Sequence, residues 1–264
     1  MEREAISIQN LKLCFSTLPC MDYTAEQLNE TCEQYGMAGV EVRYSDKGFV
    51  YSHDLNIVDV GTSICFLGYN ESLILEGKKI LDEIAETNIR AIRVFLGNFA
   101  VHFTMAKKEV DYSGIVRALQ ELADYTEKEI WIETHNEFAR GRVLKMLLED
   151  VNRKNVKIIW DIIHPWEDGE KPSETIAYIG DKIAHVHIKD GKRSADPLKH
   201  DLDYTVLGEG ELPIKEIIAT LVANGYTGYF SLEWESLWRN EIKNCFDNVG
   251  DVLKMYRDYL EKNL

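Results

Sequence analysis

No stretch of this chain approaches the ~18 consecutive apolar residues that a membrane-spanning helix needs, so a bilayer is not an expected partner. Cysteine is scarce and irregular: Cys14, Cys20, Cys32, Cys65 and Cys245 are odd in number, scattered, and never spaced as CxxC. That excludes a zinc ribbon and a thioredoxin-like motif and leaves free thiols in a reducing cytosol as the expectation. Five prolines and 17 glycines in 264 residues are too few for a collagen-like or linker-dominated chain. Neither GxGxxG nor GxxxxGKS/T occurs, which removes the physical case for a dinucleotide or nucleoside triphosphate. Positive charge is also short: 30 Lys and Arg against 45 Asp and Glu give −15. A balance of that sign repels phosphate backbones and anionic lipid surfaces, so nucleic acid is not expected either. The opening MEREAISIQNLK is charged and lacks the apolar core of a signal peptide. A cytoplasmic location follows as an expectation.

What is present is alternation. Short apolar runs read as strands at Leu11–Phe15, Val40–Arg43, Thr62–Leu67, Ala91–Phe95, Ile130–Glu133, Lys157–Asp161, Ala184–His187 and Tyr229–Glu233. Amphipathic stretches read as helices between them. One opens at Thr24 with Gln27 three residues on, a capping-box spacing, and ends near Gly36. Others cover Glu71–Glu86, Ile115–Thr126, Arg142–Glu149, Ser173–Tyr178 and Ile214–Ala223, with a last one over Ile242–Leu260. Between Arg43 and Thr62 the helical signal is little more than a turn. Runs such as KIIWD and IAHVHI are apolar at most positions, as parallel strands covered on both faces must be. Eight strands alternating with helices predict an α/β fold, a single (β/α)8 TIM barrel in one domain over 1–264.

In such a barrel the chemistry sits at the carboxyl ends of the strands. Here polar residues are expected at those ends, and only in the second half. The fifth strand ends on Glu133, the sixth on Asp161 with His164 one helical turn beyond, the seventh on His187, and the eighth on Glu233. Four ionisable groups converging on one rim repel unless something positive lies between them. A divalent cation answers that demand. Three carboxylates and one imidazole suit Mn2+ first, and then Mg2+, Co2+ or Zn2+.

With those spacings, IETH, WDIIHPW, HVHIKD and SLEW resemble the xylose-isomerase-like TIM barrels, and the opening LKLCFST and GVEVR extend the likeness over nearly the whole chain. That family includes sugar-phosphate isomerases and epimerases, ketose 3-epimerases, inosose and dehydroshikimate dehydratases and endonuclease IV. The resemblance implies Glu133, Asp161, His187 and Glu233 as metal ligands, His164 as the substrate-side histidine, and Arg193 as a substrate-binding arginine. Two departures stand out. Leu202 and Tyr204 occupy positions where endonuclease IV carries further metal ligands, and Ala139 replaces a second glutamate of the ketose 3-epimerases.

The remaining polar residues divide. His185 reads as a packed core histidine, His135 as a rim group able to touch substrate, and Arg43 as a residue facing either the pocket or a border carboxylate. Trp166, Trp234 and Trp238 are candidates for the pocket mouth, Trp160 for packing. The run KDGKR, with Lys189 and Arg193, reads as a substrate loop. The expected activity is a divalent-metal-dependent isomerase or epimerase of a small sugar, ketose or sugar phosphate. Proton transfer would pass through a metal-stabilised enediolate, with Glu133 and Glu233 as the bases and His164 assisting. The alternative is a dehydratase of an inosose or dehydroshikimate-type compound; a third reading is a non-catalytic sugar-binding barrel. The expected partner is a small sugar or polyol, with a homo-oligomer admitted.

Overall fold

The computed structural model describes residues 7–264; the first six residues of the charged opening lie outside the described ones. Eight parallel strands close into a barrel with helices around it: β1 (Lys12–Ser16), α1 (Ala25–Tyr35), β2 (Gly39–Arg43), β3 (Ile57–Phe66), α2 (Glu71–Ile84), β4 (Ala91–Leu96), α3 (Tyr112–Tyr125), β5 (Glu129–Glu133), α4 (Gly141–Val151), β6 (Val156–Asp161), α5 (Ile163–Glu167), α6 (Pro172–Ile179) and β7 (Ile183–Ile188). A two-residue antiparallel pair, β8 (Gly191–Lys192) with β9 (Asp203–Tyr204), decorates the next loop. Then come α7 (Ile214–Ala223), β10 (Tyr229–Leu232) and α8 (Val249–Asn263). β10 pairs with both β7 and β1, which shuts the barrel.

The (β/α)8 expectation holds, and local chemistry explains most boundaries. Thr24 caps α1 as anticipated: its hydroxyl accepts from the Gln27 N–H at 3.3 Å, and the Gln27 side chain accepts from the Thr24 N–H at 2.9 Å. Gly36 closes that helix in the left-handed region at φ 62°. Two boundaries differ most from expectation. β3 begins at Ile57, not Thr62, because Asp59 and Gly61 interrupt the apolar run although both are buried strand residues. The last helix starts at Val249, not Ile242, because the Asn248 side chain accepts from the Asp251 N–H and caps it there.

Two layers of packing follow from the two-residue period of the strands. Outward-facing residues such as Val40, Ile92, Ile132, Ile158 and Val186 pack against helix residues such as Leu28, Ile80, Leu119, Leu144 and Leu253, all buried. The interior carries much less hydrocarbon. A small cluster containing Cys14, Trp131 and Ile159 fills part of it, and the rest is polar. All five cysteines are free thiols.

Candidate metal centre

Strands β5, β6, β7 and β10 bring Glu133, Asp161, His187 and Glu233 together as the spacing anticipates: one donor atom from each lies within 4.8 Å of the others, and all four side chains are buried. His187 is the pivot. Its Nδ1 stands 3.1 Å from Glu233 Oε2, 3.8 Å from Glu133 Oε1 and 4.0 Å from Asp161 Oδ2. Buried Asp161 Oδ2, Glu233 Oε2 and His187 Nδ1 have no hydrogen-bond partner. Buried polar atoms are rarely left so. Two carboxylate oxygens and a ring nitrogen without hydrogen bonds, converging with Glu133 Oε1, match the donor set of a divalent cation, and the residues fit one.

The protein supplies positive charge of its own, which sequence reasoning did not anticipate. Arg93 in β4 donates from Nη1 to Glu133 Oε2 at 2.5 Å and lies 3.6 Å from Glu233 Oε1. Lys189, just past β7, places its ammonium 2.6 Å from Asp161 Oδ2 and 2.5 Å from Glu233 Oε2, and also pairs with Glu235. No directed hydrogen bond joins that ammonium to the Asp161 or Glu233 oxygen, so the contact is one of charge. Lys189 is thus buried among carboxylates and does not sit in a solvated loop.

Polar groups are not confined to the second half of the barrel either. Glu41 on β2 meets His187 Nε2 at 2.8 Å, accepts from the Ser231 hydroxyl, and lies 3.3 Å from His185 Nε2. Asp59 on β3 is fully buried with both oxygens unpaired. Five buried carboxylates therefore face two permanent cations. Burial would raise Glu41, but His187 and His185 hold it well below the usual carboxylate range. Burial and then Glu41 push Asp59 well above it. The signal for these residues was in the sequence: VEVR, IVDV and AIRVF each place a charge inside an otherwise apolar strand.

His164, on α5, presents Nδ1 to Glu167 Oε2 at 2.8 Å and keeps a buried, unpartnered Nε2 3.5 Å from Asp161 Oδ2. Burial would lower it, yet Asp161 and Glu167 lift it to about 9. His135 lies beside it, the rings tilted with their centroids 3.9 Å apart. His185 is the packed histidine expected, stacked on Trp131. Trp160 is likewise buried in packing, while Trp238 is exposed at the mouth. Arg193 is exposed, donates to the Glu167 carbonyl at 3.1 Å, and stands outside the cavity wall.

Above the cluster opens a cavity of about 790 Å³, lined at its base by Glu133, His164 and Glu233 and at its mouth by Arg43, Phe99, Phe103 and Trp238. The family profile described as xylose isomerase-like TIM barrel matches residues 69–254, well over half of the chain. The chain belongs to that family. This xylose isomerase-like barrel is 30% identical over 81 residues to fructoselysine 3-epimerase of Escherichia coli O157:H7, a match covering 31% of the chain and only 27% of that relative's length. Among solved structures it resembles the IolI protein with a bound zinc atom (TM-score 0.73, 20% identity, 96% and 99% of the two chains). It also resembles the probable 3-DHS dehydratase AsbF from Bacillus anthracis (TM-score 0.71, 19% identity, 95% and 98%). At such identities the two structures establish the fold. Among the described residues, no helix is long and apolar enough to cross a membrane.

Proposed function

We propose that this barrel is a divalent-metal-dependent isomerase or epimerase of a small sugar, ketose or sugar phosphate. The observation that carries the reading is His187 Nδ1, unpartnered, with oxygens of Glu133, Asp161 and Glu233 3.1–4.0 Å around it. Glu133, Asp161, His187 and Glu233 would hold the cation, Mn2+ first. When bound, it supplies Lewis-acid polarisation of a carbonyl oxygen and a template for a neighbouring hydroxyl.

The chain's own residues then divide the proton work. Glu133 and Glu233 stand on strands separated by β6 and β7, so they approach a sugar from different sides. Burial leaves Glu133 raised despite Arg93. Burial also acts on Glu233, but there Lys189 and His187 prevail and hold it well below its ordinary value. Removal of the proton beside the carbonyl falls to Glu133, and its return on the opposite face to Glu233 once that carboxylate has taken up a proton. The free Nε2 of His164 exchanges a proton with the substrate's hydroxyl oxygens. Lys189, and Arg193 through the loop it anchors, position those oxygens.

The relatives support this reading in kind, since one is named a 3-epimerase of a sugar conjugate. A second reading, dehydration, is favoured by Ala139 standing where the epimerases carry another glutamate, and by the neighbour named a probable dehydratase. If a hydroxyl lies β to the carbonyl, the same proton abstraction by Glu133 expels it. The deciding experiment is NMR of Mn2+-loaded protein with a panel of ketoses, inososes and sugar acids in D2O. Deuterium uptake with an epimer or aldose supports the first reading, and enone absorbance the second. No exchange with any substrate rejects both and leaves a binding barrel.

A further inference from the structure

The cavity wall of this strongly acidic chain holds four basic side chains besides its histidines, and three of them are neutralised. Arg93 is taken up by Glu133, Arg239 by Asp201 at 2.9 Å and Glu235 at 3.5 Å, and Lys107 by Glu137 at 3.3 Å. Arg43 is the exception. Its Nη2 donates to the Ser63 hydroxyl at 3.1 Å and its guanidinium lies 5.9 Å from the Trp238 ring centroid. Among the described residues no carboxylate pairs with it.

The register of the sheet gives that charge a setting. Arg43 on β2 pairs with Gly61 on β3, and Gly61 pairs with Arg93 on β4, so the three form one row across adjacent strands. A Cβ built on Gly61 would stand 3.3 Å from Arg93 Nη2 and 3.5 Å from Arg43 Nη1. The two guanidinium groups therefore flank Gly61 closely because the residue between them has no side chain, and Arg43, Arg93 and Ser63 all line the cavity beside it. Arg43, among the described residues the one guanidinium of the row without a carboxylate partner, is the charge left to attract an anion. Guanidinium forks and a hydroxyl are the donors that suit a planar or tetrahedral oxyanion.

We propose that the part of the cavity beside Gly61, walled by Arg43 and Arg93 with the Ser63 hydroxyl at its edge, binds an anionic group of the substrate, a carboxylate or a phosphate. The inference rests on the reading of the cavity as a substrate site and narrows it: the sugar carries a negative charge. Trp238 and Ser63 hold the Arg43 fork in place, and Arg93, donating from Nη1 to Glu133 and from Nη2 to the Thr62 carbonyl at 3.0 Å, contributes its field.

The test does not require turnover. Inorganic phosphate and malonate are titrated separately by calorimetry into the protein, without added metal, in wild type, Arg43→Gln, Arg43→Lys and Gly61→Ala. At least one anion should bind the wild type. Arg43→Gln should weaken it by tenfold or more, Arg43→Lys by less, and Gly61→Ala should weaken it with every charge retained. A preference for phosphate marks a sugar phosphate as substrate and one for malonate a sugar acid. Binding of neither anion by the wild type, or wild-type affinity in Arg43→Gln, overturns the proposal. Should Gly61→Ala not fold, Arg43→Gln still decides, because its side chain is only half-buried. Anion binding without exchange on any sugar would sink the isomerase reading alone. Exchange on neutral ketoses, with no anion bound, would sink this proposal alone.

Discussion

Glu41 on β2 reaches across the barrel to His187 on β7 and meets its Nε2 at 2.8 Å, linking residues 146 positions apart. The two imidazoles beside it hold Glu41 below its ordinary value against the pull of burial, so Nε2 is the nitrogen that meets this carboxylate and Nδ1 is the one that faces Glu133, Asp161 and Glu233. An outer carboxylate that orients a ligating histidine is typically worth 10–100-fold in metal affinity. Glu41→Gln should therefore bind Mn2+ about 10–100-fold more weakly while keeping the four donors. Calorimetric titration checks this, and unchanged affinity would mean that something other than Glu41 sets the imidazole.

Metal removal gives the second expectation. A cation bound only by the folded state raises the melting temperature by mass action. EDTA should lower Tm, and Mn2+ or Co2+ should restore it. Glu233→Gln and His187→Ala should lose that response; stoichiometric metal at wild-type affinity in either variant would refute the donor assignment.

Ligand and base can be told apart at saturating Mn2+. Glu133→Gln keeps an oxygen donor but no basic site, so deuterium exchange should fall by at least ~10²-fold, the lower end of what a positioned base contributes. Asp161→Asn should lose activity mainly in step with metal affinity and regain part of it at high Mn2+. Full recovery of Glu133→Gln under the same conditions would remove Glu133 from proton transfer.

His164 sets a pH dependence for the metal-free protein. Its folded value, lifted to about 9, lies above the ~6.5 of an unfolded chain. Below about 6.5 both states are protonated and the stabilising contribution is complete. As pH rises from there through about 9 the contribution is lost. Urea midpoints of the EDTA-treated protein should fall over that window, and those of His164→Gln should fall less. Parallel curves would show that Asp161 and Glu167 do not hold a proton on the ring.

Arg193 touches none of the donors; it donates to the carbonyl of Glu167, a residue of the cavity wall, and stands 4.0 Å from Glu211 Oε1. Arg193→Ala should raise KM several-fold on the substrates identified by exchange, with metal content unchanged. Identical KM and kcat would take it out of substrate binding altogether.

How much of this was legible follows from which interactions are local. Thr24 with Gln27, the closing Gly36 and the apolar runs of β5, β6 and β7 act over a few residues, so the strand count and the barrel could be read directly. Glu133 and Asp161 end their strands, His187 lies one residue before the end of β7 and Glu233 one past β10, and the barrel rule alone places strand ends on one rim. Asp59 and Gly61 hid the start of β3, because a buried acid and a missing side chain both imitate a turn. The Asn248 cap cut back α8 although the residues from Ile242 onward carry helical periodicity.

The chain by itself determined the alternation of strand and helix, and with it the ring order that collects four donors at one end. Only the tertiary structure decided what balances them. Arg93 lies 40 residues before Glu133, and Glu41 190 residues before Ser231. Charges inside apolar strands announce that partners exist. Which partners they are depends on strand pairing and on which guanidinium reaches which carboxylate. The row of Arg43, Gly61 and Arg93 belongs to the same class, because two side chains flank a glycine in this way only once three strands are in register.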